Sequence, residues 1–198
     1  MKNKLSILYV HGLNSDGNSI TGKLIERALR EALPTVDITV KHPTFPKTCT
    51  EALEVLNKES KGVNIVIGTS LGGFITLNAR TKYRIVFNPA LRPSETLLKL
   101  GESNEVASSY KPYEDKLYKS IDGEDRITTV SYFADNDTVV RDGDEFKKIF
   151  HHINTFHGEH RLREKDMPIV VTEVKKYISL LEGGHLGELI YPSNSIIF

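Results

Sequence analysis

Cysteine is almost missing from this sequence, with Cys49 standing alone. A lone cysteine excludes an intrachain disulfide framework and any cysteine-rich zinc site, and makes a reducing cytoplasm the expected location. Charge of either sign is also not in excess, since 26 Lys and Arg balance 26 Asp and Glu to a formal net charge of zero. Nucleic-acid binders normally carry a basic excess, so no nucleic acid is expected as a partner. Nor does the balance give a reason to sit on an anionic membrane. Long hydrophobic runs are absent too. Leu5 to Val10 falls far short of the roughly eighteen apolar residues of a membrane span. It is shorter than a secretory h-region, and no small-residue cleavage site follows, so no leader is expected. No repeat, low-complexity tract or Pro/Gly/Ser-rich linker divides the chain.

What is present suits a soluble globular protein, expected as a single domain over residues 1–198. The chain is 39% hydrophobic and 26% charged, with eight Phe and eight Tyr, enough apolar material for one core. Short runs rich in β-branched residues predict strands at Leu5–Val10, Val36–Val40, Val63–Ile67, Arg84–Phe87 and Ile127–Ala134. They are mostly continuous rather than alternating, the pattern of strands covered on both faces. Helical patterns lie between them. Ser19 is placed to cap a helix reaching about Leu33, stopped by Pro34. Thr48 to Glu51 reads as a capping box before Leu53 and Leu56. Asp166 is placed to cap a last helix with an apolar stripe of Val170, Val171, Val174, Tyr177, Ile178 and Leu181, ended by Gly183-Gly184. Repeated βα units predict a three-layer α/β fold with a mostly parallel sheet. Two stretches break the rhythm. Residues 101–125 are polar with three spaced tyrosines, and are expected to form a small lid over the edge of the sheet. Residues 183–198 form a tail expected either to pack on the body or to reach a neighbouring subunit.

The chemistry starts at Gly68-Thr69-Ser70-Leu71-Gly72, a G-x-S-x-G. Such a pentad arises by chance in roughly one chain in fifteen at ordinary composition, so its context decides. Here it joins an apolar strand to a helical pattern, the strand-to-helix turn that exposes a serine nucleophile. The tight turn requires glycine beside Ser70, at Gly68 and Gly72. A serine nucleophile needs a base, and the base an orienting carboxylate, in the chain order Ser, acid, His. Asp135 and Asp137 follow the strand ending at Ala134, and His157 and His160 follow the apolar run Ile153–Phe156. After the first strand, His11-Gly12-Leu13-Asn14-Ser15 forms a loop able to aim a backbone N–H at an oxyanion, together with the N–H of Leu71. His11 and Gly12 are read as supporting that loop.

Strand-HG-L-N-S, G-T-S-L-G-G-F, N-P-A-L-R-P at Asn88 to Pro93, D-N-D-T-V-V and H-G-E-H-R together resemble the YqiA-like small bacterial esterases of the α/β-hydrolase superfamily, from about Leu5 to Leu181. The resemblance implies a trimmed fold without the first two antiparallel strands of the full-length version. It implies Ser70 as nucleophile. Asp137 becomes the acid, because Ala134 and Val140 stand at the superfamily's offsets from it. His160, two after Gly158, becomes the base. Cofactors are not implied, and the four histidines His151, His152, His157 and His160 lack zinc-protease spacing, so no metal is expected. Arg92 and Arg161 are read as salt-bridge partners before anion contacts.

The expected function is a serine hydrolase of carboxylic esters or thioesters of small to medium acyl groups, with Leu13 and Leu71 N–H binding the oxyanion. The partner is then a small-molecule acyl ester or thioester, acyl-CoA included. Monomer and homodimer both stay open. The rival is a binding protein that keeps the scaffold without turnover.

Overall fold

A computed structural model describes residues 4–81, 83–120 and 128–182. The expected tail at 183–198, the start of the strand at Ile127 and residues 121–125 of the expected lid lie outside them. Six strands form one sheet: β1 (Lys4–Val10), β2 (Asp37–Lys41), β3 (Ile65–Thr69), β4 (Tyr83–Phe87), β5 (Thr129–Ala134) and β6 (His152–Phe156). Their order is β2-β1-β3-β4-β5-β6. Every pairing among them is parallel, so the sheet is wholly rather than mostly parallel over the described residues. The strands β3 and β4 are buried at every position, as expected for runs covered on both faces.

Helices α1 (Ile20–Ala32), α2 (Cys49–Glu59) and α3 (Leu71–Leu77) follow the first three strands. Three more, α4 (Pro93–Lys99), α5 (Asn104–Ser108) and α6 (Lys111–Ser120), lie between β4 and β5, and α7 (Gly143–Lys147) and α8 (Met167–Glu182) complete the set described. One face of the sheet packs Leu8, Val10, Val66 and Val86 against α2, α3, α5 and α6. The other packs Ile7, Ile65, Ile67 and Ile85 against α1 and α8. Alternate strand residues thus supply two cores, and the fold has three layers.

Local chemistry departs from the sequence pattern in places. Ser19 caps α1 by accepting from Gly22 N–H. Thr48 is the N-cap residue of α2, but its hydroxyl donates to the Glu51 carboxylate and accepts no backbone N–H. A carboxylate is the stronger acceptor, so the box forms as a side-chain pair. Asp166 accepts from Arg163 N–H and closes a 3₁₀ turn ahead of α8. In α8 the buried stripe is Val170, Glu173, Val174 and Tyr177, and Leu181 is exposed. Glu173 is satisfied there by the hydroxyls of Tyr83 at 2.6 Å and Tyr132 at 2.5 Å.

Residues 101–120 carry the helices α5 and α6 and are anchored. Ala107, Tyr110 and Leu117 are core residues, and the Tyr110 hydroxyl donates to Lys47 O at 2.9 Å. The buried Glu114 carboxylate accepts from Ser94 N–H and Oγ at the start of α4. This part of the expected lid is a packed layer over the α2 side.

Candidate active site

The sheet order decides where chemistry can sit. After β1 the chain crosses to β2 on one side, and after β2 it returns to β3 on the other. Loops leaving β1 and β3 diverge at their C-terminal ends and open a crevice, the usual place for a ligand in such a sheet. The loop after β1 carries His11 to Ser15, and the turn after β3 carries Ser70.

Ser70 has φ 54° and ψ −121°. A non-glycine residue pays about 1–3 kcal/mol for such a backbone, so its surroundings must hold it. They do so through Ser70 N–H donating to Phe87 O, and through Ser70 O accepting from Gly73 and Ala90 N–H. Close packing also requires the two glycines of the pentad. A Cβ on Gly68 would lie 2.2 Å from Thr76 Oγ1, and one on Gly72 would lie 2.2 Å from Val10 O. Gly72→Ala therefore tests the turn. Alanine gains about 1 kcal/mol of helix propensity over glycine, but the clash is with rigid backbone. We expect a net loss of about 3 kcal/mol or more in urea unfolding, because overpacking wins.

From Ser70 a chain of polar contacts runs across the C-terminal edge. His160 Nε2 lies 2.9 Å from Ser70 Oγ, across 90 positions of sequence. His160 Nδ1 lies 2.8 Å from Asp137 Oδ2. The other oxygen, Asp137 Oδ1, accepts from Val139 and Val140 N–H at 2.7 and 3.0 Å. Asp137 is 6% exposed. Burial pushes its pKa up, but the bond to His160 and the Val140 and Val139 N–H groups outweigh burial and hold it below the ordinary carboxylate range. Asp137 is thus ionised at neutral pH and faces Nδ1 as an acceptor.

The second pair of expected candidates also meets. His157 Nδ1 lies 2.9 Å from Asp135 Oδ2, and Asp135 Oδ1 accepts from Gly158 N–H. His157 and Asp135 are 81% and 43% exposed at the side chain, and no contact joins them to Ser70. The hydrogen bond to His157 is the main cause that lowers the Asp135 pKa.

His11 points away from the chain of contacts. Its Nε2 accepts from Phe45 N–H at 2.9 Å, so Nδ1 carries the proton and donates to Gly12 O. Gly12 lets the loop come close, since an added Cβ would stand 3.3 Å from Ser70 Cβ. Leu13 follows it, and Leu71 heads α3, where first-turn N–H groups have no partner inside the helix. Beside them a small cleft, open to solvent, is walled by Leu13, Phe45, Ala52, Leu71, Ile75 and Tyr110. Ser70 does not line it, but Gly12 and Gly72, which flank Ser70, do. Cys49, the one thiol, is buried and pushed up to about 12, first by burial and then by Glu114, which leaves it unreactive. Arg92 engages Glu145 through Nε and Nη2. Sequence reasoning missed Asn88, whose side chain holds the loop of His160. Its position in N-P-A at a strand end was the available signal.

Sheet order and crevice are those of the α/β-hydrolase fold. Several solved structures share the fold at low identity. The esterase domain of a Rhodothermus marinus protein matches with TM-score 0.64 and 13% identity, over 89% of this chain and 89% of that one. Est1E from Butyrivibrio proteoclasticus matches with TM-score 0.63 and 14% identity, over 90% and 89%. Arabidopsis thaliana SOBER1 matches with TM-score 0.62 and 13% identity, over 89% and 100%. Within this fold the chain belongs to UPF0227, described as an uncharacterised protein family, whose model matches residues 6–127. That is the YqiA-like family which the motifs resemble. The match takes in His11, Ser70 and Asn88 and stops short of Asp137 and His160.

Proposed function

We propose that the protein is a single-domain serine hydrolase of carboxylic esters or thioesters, with Ser70 as nucleophile, His160 as general base and Asp137 as its orienting acid. The reading is carried by the Ser70–His160–Asp137 chain of contacts at 2.9 and 2.8 Å. His160 Nε2 takes the Ser70 proton as Oγ attacks the acyl carbon, and Leu13 and Leu71 N–H receive the oxyanion. His160 returns the proton to the leaving alcohol or thiol. It then deprotonates a water that attacks the acyl-enzyme, releasing the acid and restoring Ser70. The Rhodothermus marinus match, an esterase domain, agrees with this reading. A fluorophosphonate probe tests it: stoichiometric labelling of Ser70 is expected. A folded protein that does not react returns the chain to the rival, a binding protein on a hydrolase scaffold.

The cleft beside Leu13 and Leu71 is the proposed acyl site, taken to receive small to medium groups. Replacing all of residues 101–125 would strip Tyr110 and Leu117 from the core, so a filling substitution is the cleaner probe. Ala52 is buried and lines the cleft. Ala52→Leu is expected to lower kcat/KM for p-nitrophenyl octanoate about tenfold or more relative to acetate, since each misfitted methylene is worth roughly 1–3 kcal/mol. An unchanged chain-length profile would remove the cleft from substrate choice.

A further inference from the structure

Asn88 follows β4 at φ 46° and is fully buried. Left-handed backbone is several-fold enriched in asparagine, and here the side chain makes three of its four possible hydrogen bonds. Its Oδ1 accepts from Ala134 N–H at 2.8 Å, and its Nδ2 donates to Glu159 O at 3.2 Å and His160 O at 3.0 Å. An N–H must meet an oxygen and carbonyls must meet a donor, so these partners fix which end of the amide is which. Ala134 ends β5, and its carbonyl accepts from Asp137 N–H. One planar amide therefore has its acceptor on the strand end that carries the acid and its donor on the loop that carries the base.

The same segment also holds the third group. Phe87 O accepts from Ser70 N–H, and Ala90 N–H donates to Ser70 O. Other ties to the base loop, from Asp135 Oδ1 and Asn136 N–H, reach Gly158. The Asn88 amide reaches His160 itself. We propose that Asn88 is a positioning residue for His160, setting the imidazole at hydrogen-bond distance from both Ser70 and Asp137. The proposal rests on the hydrolase reading of those three residues.

Asn88→Asp keeps the acceptor for Ala134 and places a carboxylate oxygen against the carbonyls of Glu159 and His160. Repulsion displaces the loop, and a displacement near 1 Å costs about 10²-fold in rate. At pH 8 the variant is expected to lose that factor in kcat and in phosphonate labelling rate, with KM within about threefold. As pH falls, the new buried carboxyl takes up a proton and can donate again. With both proteins fully folded across the range by circular dichroism, the ratio of variant to wild-type kcat/KM therefore rises toward acid, which a structural role alone does not produce. Asn88→Gly, which suits the positive φ, is expected to show the same loss with a ratio independent of pH. In the nuclear magnetic resonance spectrum the downfield Nδ1–H signal of His160 should be lost or moved in both variants.

Wild-type labelling rates and an unmoved Nδ1–H signal in folded variants would overturn the proposal. So would a pH-independent ratio for Asn88→Asp, or failure of both variants to fold, which would assign the amide to the fold. A wild-type protein that does not label overturns the hydrolase reading instead, and the Nδ1–H signal still reports on Asn88.

Discussion

Ser70→Ala is expected to lower kcat/KM for a p-nitrophenyl ester by about 10⁶-fold, the scale on which loss of a serine nucleophile acts elsewhere. The residual rate comes from substrate held near oxyanion donors, and alanine leaves those in place. Stability should hardly change. The strain at φ 54° is a clash of backbone with Cβ, which alanine keeps. The one side-chain contact removed is the Ser70–His160 hydrogen bond, worth about 1 kcal/mol net. Ser70→Gly makes the complementary test. It should be equally inactive, yet its melting temperature should not fall as an ordinary Xaa→Gly change would make it fall, because glycine accepts this backbone without strain. Substantial hydrolysis by folded Ser70→Ala would remove Ser70 from the mechanism.

The parts of the fold legible in sequence are those whose signal is local. Ile65 to Thr69 and Tyr83 to Phe87 show as continuous apolar runs because both faces are covered. The pentad at Gly68–Gly72 shows because a turn that tight excludes side chains. The strand His152–Phe156 shows only as the short run Ile153–Phe156, not as a strand. It lies at the edge of the sheet, with Phe156 its buried residue, so the pattern of a doubly covered strand is missing. Glu173 interrupts the apolar stripe of α8 unpredictably, since its partners Tyr83 and Tyr132 lie 90 and 41 positions away. Asn88 is hidden for the same reason: its partner His160 is 72 positions on. Long-range polar satisfaction leaves no periodicity behind. For the site, sequence order narrowed the acid and base to two residues each, and family offsets favoured one of each. Geometry separates the pairs further, by placing His160 and not His157 against Ser70.

Asp137→Asn and His160→Ala are accordingly expected to cost far more than Asp135→Asn and His157→Ala. Removing a general base costs about 10⁵ to 10⁶-fold and neutralising its acid about 10⁴-fold. Asn at 137 would still accept from Val139 and Val140 N–H, so the loop stays put. The loss falls on the imidazole, which no longer has an ionised partner to hold its tautomer and stabilise its charged form. Asp135 and His157 form a mostly exposed pair, which solvent screens. Asp135→Asn even retains an oxygen for Gly158 N–H. Each of these two variants should stay within about tenfold of wild type, because neither touches Ser70 and the loop keeps its other ties. Steady-state kcat/KM at pH 8 and phosphonate labelling rates would be measured for all four. A dead His157→Ala beside an active His160→Ala would move the base by one turn of the loop and break the assignment of Asp137 with it.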